Sequence, residues 1–467
     1  MIRLRKSPGY PFVFINAPVS GLPELFIRTL DLETSYLVQN PDRVIAARNA
    51  KLIKQGIKPE PWDGRIRLLK QSKQGNYYFP VGLLQTVIKT LKWYGVEPEL
   101  DIRFNETEQE IPIEWRGPSL RDYQVDAFIR AKSSERCITQ LPTGSGKSLL
   151  ALKLITTLKK PTLLVVHTKE LFNQWVENFE KYTTITPSKF NDKTKEFGFV
   201  TIAMVQSLDK WLQKKENKPP LFDVLVLDEA HHTPANTFYN VAMKCDARYR
   251  FGLTATTKRE DGTDLLMVAG LGPIVTQVKP EDLVKCGSLS QPKFEFLSVP
   301  PTMIYGNTYQ EIYKSGIVLN TERNALIIQR SKQLAAEGRQ VYIHVEHIMH
   351  GKLLADISGF PFVYSATKNR SDIIDGFRSG DVPVLISTLL GEGVDIPNIS
   401  AIIMAGGRKT EIGTIQKVGR ALRPSDKSDA IVVDFLDKGK YLSIHAVNRY
   451  HAYIKFFGEY VLESVQK

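Results

Sequence analysis

The chain has 467 residues, 42% of them apolar, with 62 Lys/Arg against 50 Asp/Glu and a net charge of +12. That length allows about three domains with sizeable cores, and the charge favours a polyanionic partner such as nucleic acid, although charge alone does not choose between nucleic acid and a membrane surface. Cys137, Cys245 and Cys286 are scattered without a CxxC pair, which argues against a zinc or iron–sulfur site and against a disulfide framework.

The N-terminus, MIRLRKSPGYPFVFINAP, is basic, but its apolar patch is short and broken by prolines. It does not read as a signal peptide, and no apolar run approaches the ~18 residues of a membrane span. A soluble, intracellular protein with no membrane partner is expected. Residues 1–95 carry 15 Lys/Arg against 6 Asp/Glu, a net of +9. Aromatic residues stand beside the basic ones: Trp62 near Arg65 and Arg67, and Tyr77, Tyr78 and Phe79 after Lys73. Cations neutralise phosphates and aromatic faces stack on exposed bases. The expectation is a small basic nucleic-acid-binding module with Arg65 and Arg67 as contacts; the plainer alternative is a small α+β domain that happens to be basic. Residues 96–115 then carry 1 Arg against 7 Asp/Glu, a net of −6, and 96–117 reads as an acidic linker or edge segment.

After residue 118 short apolar strands alternate with helical periods. The first series is CITQL (137–141), TLLVVH (162–167), FVTIAM (199–204), VLVLD (224–228) and YRFGLT (249–254). The second is VYIHV (341–345), PFVYS (361–365), VLIST (384–388), AIIMA (401–405) and AIVVDF (430–435). Helical periods lie between them, for example at 169–182 and 370–379. Such alternation implies parallel sheets covered by helices. Two series imply two α/β domains, set at 118–285 and 286–467.

Residues 141–148 read LPTGSGKS, between a strand and a helix. This is the setting of a phosphate-binding loop. Gly144 and Gly146 admit phosphate close to the backbone, amides at the helix N-terminus donate to it, Lys147 reaches the β- and γ-phosphates, and Ser148 binds Mg²⁺. Pro142, Thr143 and Ser145 complete the loop. The full pattern asks for Gly at 141, where this chain has Leu. A second strand, Val224–Leu227, runs into Asp228-Glu229. Two adjacent carboxylates at the end of a buried strand are costly unless a cation relieves them. Asp228 and Glu229 are therefore assigned to Mg²⁺, with Glu229 also the base for the attacking water. Helix capping by Asp228 is the plainer alternative.

LPTGSGKS, DEAH (228–231), LTAT (253–256) and QKVGRALR (416–423), in this order, resemble the motif set of the superfamily 2 helicases over roughly residues 118–435. The resemblance implies two tandem RecA-like parallel-sheet domains behind the basic α+β N-terminal domain. It implies ATP and Mg²⁺ as cofactors. LRDYQ (120–124) resembles the adenine-reading motif, giving Arg121 and Gln124 to the nucleotide. HTKELFNQW (167–175) and MVQSL (204–208) resemble motifs that touch the nucleic-acid backbone, giving Thr168, Lys169, Gln206 and Ser207. STLLGEGVDIPN (387–398) resembles the motif that supplies Thr388 to nucleic acid and Gly393 and Asp395 to the nucleotide; Thr367 is a further nucleic-acid candidate. QKVGRALR sets Gln416, Arg420 and Arg423 on one helical face. Arginines suit charge developing on a γ-phosphoryl group, and these would reach ATP only on closure of the two domains. His231 completes DEAH; with His232 it forms no metal site, since adjacent histidines cannot both face one ion.

GLTATTKREDG (252–262) is similar to the XPB-type helicases, with Arg259-Glu260-Asp261 as their Arg-Glu-Asp element and Arg259 as a nucleic-acid contact. The basic module with LPTGSGKS is also similar to the phage UvsW-like group. The resulting expectation is an ATP-dependent DNA helicase acting on branched DNA, a monomer, in the cytoplasm, on the nucleoid or in a phage-infected host. A duplex translocase that separates no strands, an RNA helicase and a non-catalytic nucleic-acid-binding protein are the alternatives. ATPase assays with different nucleic acids discriminate them.

Overall fold

The computed structural model describes the chain outside residues 1, 17–21, 38–40, 55–57, 59–62, 111, 215, 230–234, 256–263, 390–398, 408–417, 420, 421, 423–428, 466 and 467. Of the assigned residues, Arg259, Gly393, Asp395, Gln416, Arg420 and Arg423, together with Trp62, His231 and His232, lie outside the described residues. Two compact units result: Met1–Leu141 with Gly146–Gln277, and Val278–Lys467 with Pro142–Ser145.

The first unit begins with β1 (Arg3–Lys6) and β2 (Phe12–Asn16), in which alternate residues are buried, as a half-covered sheet requires. β3 (Ser35–Leu37) and β4 (Arg65–Arg67) form a separate antiparallel pair. β5 (Lys70–Gln71), β6 (Tyr77–Pro80) and β7 (Glu99–Ile102) complete a five-stranded sheet of order β5-β6-β2-β1-β7. The acidic stretch thus supplies an edge strand, β7, parallel to β1. It continues along the same unit: the Thr107 N–H and hydroxyl donate to Asp223, and the Arg116 N–H donates to the Tyr182 carbonyl at 2.7 Å.

Leu4, Val13, Phe26, Phe79 and Leu91 share one core with Leu266 and Ala269 of the helix Asp264–Leu271. Gly82 shows how close this packing is. A Cβ there would stand 2.2 Å from the Val268 carbonyl oxygen and 2.4 Å from that of Ala269, so only glycine fits. Lys6 is buried and pairs with Asp246 at 2.7 Å, which compensates a cation that would otherwise be costly.

The larger sheet of this unit consists of β8 (Arg136–Gln140), β9 (Thr162–Val166), β10 (Ser188–Phe190), β11 (Val200–Met204), β12 (Val224–Asp228), β13 (Tyr249–Thr254) and β14 (Ile274–Gln277). Its order is β10-β11-β9-β12-β13-β8-β14, and every pairing is parallel. All five residues of β12 are buried, which its unbroken apolar run demanded. Helix Lys169–Tyr182 buries Phe172, Trp175, Val176 and Phe179, an i, i+3, i+4, i+7 stripe. Each such side chain contributes roughly 1.5–3 kcal/mol by leaving water.

The second unit has a wholly parallel six-stranded sheet: β15 (Gln291–Ser298), β16 (Val341–His344), β17 (Phe362–Val363), β18 (Val384–Ser387), β19 (Ala401–Met404) and β20 (Asp429–Leu436), in the order β15-β20-β19-β16-β18-β17. Beneath it, Arg323 pairs with Asp437 at 2.7 Å and Arg449 with Asp434 at 2.9 Å, all four buried. Among the described residues no helix is long and apolar enough to cross a membrane.

Candidate active site

Sheet register brings the two chemical motifs to one edge. Thr254 of β13 is level with Gln140 of β8, and Asp228 of β12 is level with Leu253 of β13. The segment after β8 and the segment after β12 therefore leave from the same carboxyl end of a parallel sheet, where such folds place their ligands.

After β8 the chain turns through Gly144 and Gly146, both at positive φ, into helix Lys147–Leu158. The Ser145 hydroxyl donates to the Pro142 carbonyl at 2.6 Å. Gly146 is the helix N-cap at φ 78°, a conformation that glycine adopts without penalty. A Cβ there would also meet the Gln124 amide nitrogen at 2.4 Å. Gln124 is buried against this loop. Its Oε1 accepts from the Arg121 backbone N–H at 2.9 Å, and its Nε2 donates to the Gly146 carbonyl at 3.4 Å. Gln124 thus lies against the phosphate loop, and the Arg121 backbone is joined to Gln124.

Lys147 opens the helix. Its ammonium donates to the Leu141 carbonyl at 3.2 Å and lies 3.3 Å from Glu229 Oε1. Glu229 has φ 49°, a left-handed conformation uncommon for a side-chain-bearing residue and frequent at active sites. Asp228 is buried, and burial, then the adjacent Glu229, holds its carboxyl well above the usual carboxylate range. The indole Nε1 of Trp175 donates to Asp228 Oδ2 at 2.7 Å. Sequence reasoning missed this role for Trp175. Its only signal was a polar-tipped aromatic on the buried stripe of helix 169–182, and a buried indole N–H needs an acceptor.

Asp228, Glu229 and Ser148 suit a divalent cation. Burial and the adjacent Glu229 raise the cost of ionising Asp228, and positive charge relieves that cost. A few oxygen donors of this kind are the donor set of a Mg²⁺ ion, which keeps several waters and takes phosphate oxygens as ligands.

The expected nucleic-acid contacts divide. Lys169 is exposed, and Gln206 donates to the His167 carbonyl at 3.1 Å. That bond joins the segments leaving the adjacent strands β9 and β11 at the same sheet edge. The Thr168 hydroxyl instead caps its helix, accepting from the Leu171 N–H at 3.2 Å, and the Ser207 hydroxyl donates to Asp192 at 2.6 Å. In the second unit Thr367 and Thr388 lie in the segments that follow the paired strands β17 and β18. The Thr367 hydroxyl accepts from the Tyr364 N–H at 3.0 Å, and the Thr388 N–H donates to the Val363 carbonyl. On the β3–β4 pair, Arg65 donates to the Ser35 hydroxyl at 3.2 Å. Arg67 is committed to two carboxylates: Asp31 at 2.8 Å, and Asp63 through both terminal nitrogens at 3.0 and 2.6 Å.

Comparison with known proteins agrees with this geometry. Residues 117–259 match the type III restriction enzyme res subunit family, and residues 310–425 match the helicase conserved C-terminal domain. The chain is 27% identical over 395 residues to the DNA 3'-5' translocase XPB2 of Sulfurisphaera tokodaii, covering 75% of this chain and 89% of that one. It is 25% identical over 462 residues to the ATP-dependent DNA helicase uvsW of Enterobacteria phage T4, covering 86% and 90%. In fold, it matches a fragment of a putative HsdR subunit of a type I restriction enzyme from Vibrio vulnificus YJ016. The TM-score is 0.55 and the identity 19%, over 73% of this chain and 67% of that one. The chain is a superfamily 2 helicase, an ATP-dependent enzyme that resembles the UvsW-like and XPB-like DNA helicases.

Proposed function

We propose that this enzyme hydrolyses ATP to translocate on DNA and to unwind or remodel branched DNA such as forks and junctions. The observation that carries the reading is the convergence of Lys147, Asp228 and Glu229 at one sheet edge, with Lys147 and Glu229 3.3 Å apart. Phosphoryl transfer depends mainly on positioning and on neutralising charge. Lys147 would hold the β- and γ-phosphates. Glu229 would accept the proton of the attacking water, and its held backbone aims the carboxylate at the loop. Bound Mg²⁺ would supply charge neutralisation, held by Ser148, Asp228 and Glu229. We assign Gln416, Arg420 and Arg423 to the γ-phosphoryl group, Gly393 and Asp395 to the nucleotide, and Lys169, Gln206, Arg259, Thr367 and Thr388 to the nucleic-acid strand.

DNA as the strand is supported by the relatives' names, since one is a DNA translocase and the other a DNA helicase. The basic N-terminal region would supply substrate choice. Translocation on duplex without strand separation is the second reading, favoured by the XPB2 relative. ATPase assays with single-stranded DNA, duplex, fork, four-way junction and RNA as stimulants test both. Branched DNA should stimulate turnover most. Equal stimulation by linear duplex would favour the translocase, and preference for RNA would sink both readings.

A further inference from the structure

Phe104, in the segment after β7, lies between two cations. Lys6 Nζ is 3.9 Å from its ring centroid, and the Arg136 guanidinium carbon is 4.0 Å away. The two cations differ in their compensation. Lys6 has Asp246 at 2.7 Å. Arg136 has no carboxylate at salt-bridge distance among the described residues. Its Nε is buried without an acceptor, and its side-chain hydrogen bond, to the Ala247 carbonyl, is long at 3.3 Å. Burial, and then Arg250, push its pKa down to about 9. Buried cations in folded proteins are normally paired or fully hydrogen-bonded. Arg250, next to it, meets that rule by donating to the carbonyls of Ala247, Gly270 and Cys245.

Arg136 lines a cleft of about 680 Å³ between the five-stranded sheet and the edge of the seven-stranded one. That volume is typical of small-molecule sites, which run from ~300 to 1,000 Å³. Val81, Leu84, Leu100 and Ile102 give it an apolar wall. The other charges around it are paired. Arg248 is held by Glu106 at 2.8 Å and Glu135 at 2.6 Å, and Arg103 by Asp101 at 2.7 Å. Among the residues that line the cleft, three cations (Arg103, Arg136, Arg248) face two carboxylates (Glu106, Glu135), leaving one positive charge. A single negative charge balances it. A phosphate dianion or a nucleic-acid backbone would meet Glu106 and Glu135 at the rim and the rest of the acidic 96–115 stretch beside it.

We propose that this cleft binds a small organic monocarboxylate, with the carboxylate on the Arg136 guanidinium and the apolar body against Val81, Leu84, Leu100 and Ile102. Arginine and carboxylate match as two parallel N–H···O bonds, and Arg136 has no carboxylate partner of its own. The site stands at the amino end of β8, opposite the end from which the phosphate loop leaves, so it is separate from the nucleotide site.

Calorimetric titration of the full chain with octanoate and with benzoate tests this, with inorganic phosphate and a thymidine oligonucleotide alongside. At least one carboxylate should bind saturably, with one site per chain. Arg136→Met should weaken it by at least about tenfold while leaving ATP turnover without carboxylate unchanged. Unliganded Arg136→Met should unfold at the same or a higher temperature, because a partly buried charge with no carboxylate at salt-bridge distance has been replaced by an apolar chain of similar length. Leu100→Glu keeps the test decisive if that variant folds poorly. Leu100 is 52% exposed, and a carboxylate there repels the ligand without touching the core. Failure of both carboxylates to bind overturns the proposal. So does binding that neither substitution weakens, or phosphate or oligonucleotide binding more tightly than either carboxylate with the same dependence on Arg136.

Discussion

Trp175 Nε1 donates to Asp228 Oδ2 at 2.7 Å, and both side chains are buried. The bond ties helix 169–182 to the end of β12 and fixes one oxygen of the carboxylate, so that the other keeps one orientation at the phosphate loop. Trp175→Phe preserves the ring and removes the donor. A buried hydrogen bond to a carboxylate contributes ~1.5–3 kcal/mol, so melting should occur several degrees lower. Beyond that, kcat for ATP should fall by roughly tenfold, about 1.4 kcal/mol of barrier, with KM for ATP little changed. Thermal unfolding and steady-state turnover measure the two effects. Lost stability with unaltered kcat would reduce Trp175 to a packing residue.

Lys147 and Glu229, 3.3 Å apart, separate by substitution. Lys147→Ala should abolish ATP hydrolysis and spare most nucleic-acid binding, because it removes the phosphate contact alone. Glu229→Gln keeps the size of the side chain and the backbone at φ 49° but has no base. Turnover should fall by ~10²–10⁴-fold while ATP still binds. Fluorescent-nucleotide titration beside the ATPase assay reads both. Equal losses of affinity and turnover in Glu229→Gln would make Glu229 a binding residue.

The buried parallel strands were legible because burial on both faces demands unbroken apolar runs. VLVLD and YRFGLT were read to the residue, at Val224–Asp228 and Tyr249–Thr254. β15 was not read. Its first four residues, QPKF, alternate exposed and buried positions at a sheet edge, and Lys293 and Glu295 hide its eight-residue pairing with β20. Asp228, Glu229 and Lys147 announced themselves by charge at the ends of apolar strands. Trp175, Lys6 and Arg136 did not, because each depends on a partner from a distant part of the chain. For the same reason Arg67 looked like a nucleic-acid contact. Asp63 stands four residues away, but Asp31, on another element, had no mark in the sequence.

The two arginines of β4 should therefore behave differently. Arg65 donates to the Ser35 hydroxyl, whereas Arg67 is held by Asp31 and Asp63. Arg65→Glu should weaken DNA binding and make its salt dependence shallower by about one phosphate contact. Arg67→Glu should mainly loosen the β3–β4 pairing, visible as faster local hydrogen exchange. Salt-dependent binding isotherms for both variants check this. A larger binding defect in Arg67→Glu, with the β3–β4 pairing intact, would reverse the assignment.

Gly82 tests how far the basic N-terminal region is independent. Backbone carbonyls 2.2 and 2.4 Å from where a Cβ would stand cannot move aside as a side-chain tip can. Gly82→Ala should cost ~1–3 kcal/mol, the usual range for overpacking, and Ala269→Gly should not rescue it, because the obstacle is main chain. Denaturant unfolding measures the cost. The same packing implies that a chain starting near residue 112 would expose Leu266 and Ala269 and leave Asp246 without Lys6, so point substitutions test DNA binding more cleanly than truncation. A Gly82→Ala variant as stable as the parent would mean that the region rests only lightly on helix Asp264–Leu271.

His350 sets an acid limit on the second unit. It is buried, and its Nε2–H donates to Asn324 Oδ1 at 2.9 Å. Burial, followed by the neighbouring Arg323 and His347, lowers its pKa from 6.5 to about 3. The unfolded chain takes up a proton near pH 6.5 that the folded chain refuses until about pH 3. Stability from the neutral ring is therefore complete above pH 6.5 and is lost as pH falls through that window. The slope approaches ~1.4 kcal/mol per pH unit for one proton. His350→Gln retains a donor for Asn324 and cannot titrate. It should be somewhat less stable than the parent at pH 7.5, because the ring's packing is lost, yet its stability should decline less between pH 6.5 and 4.5. Urea unfolding at several pH values gives the two curves. Parallel curves would mean that other groups govern acid unfolding and that His350 is accommodated as readily charged as neutral.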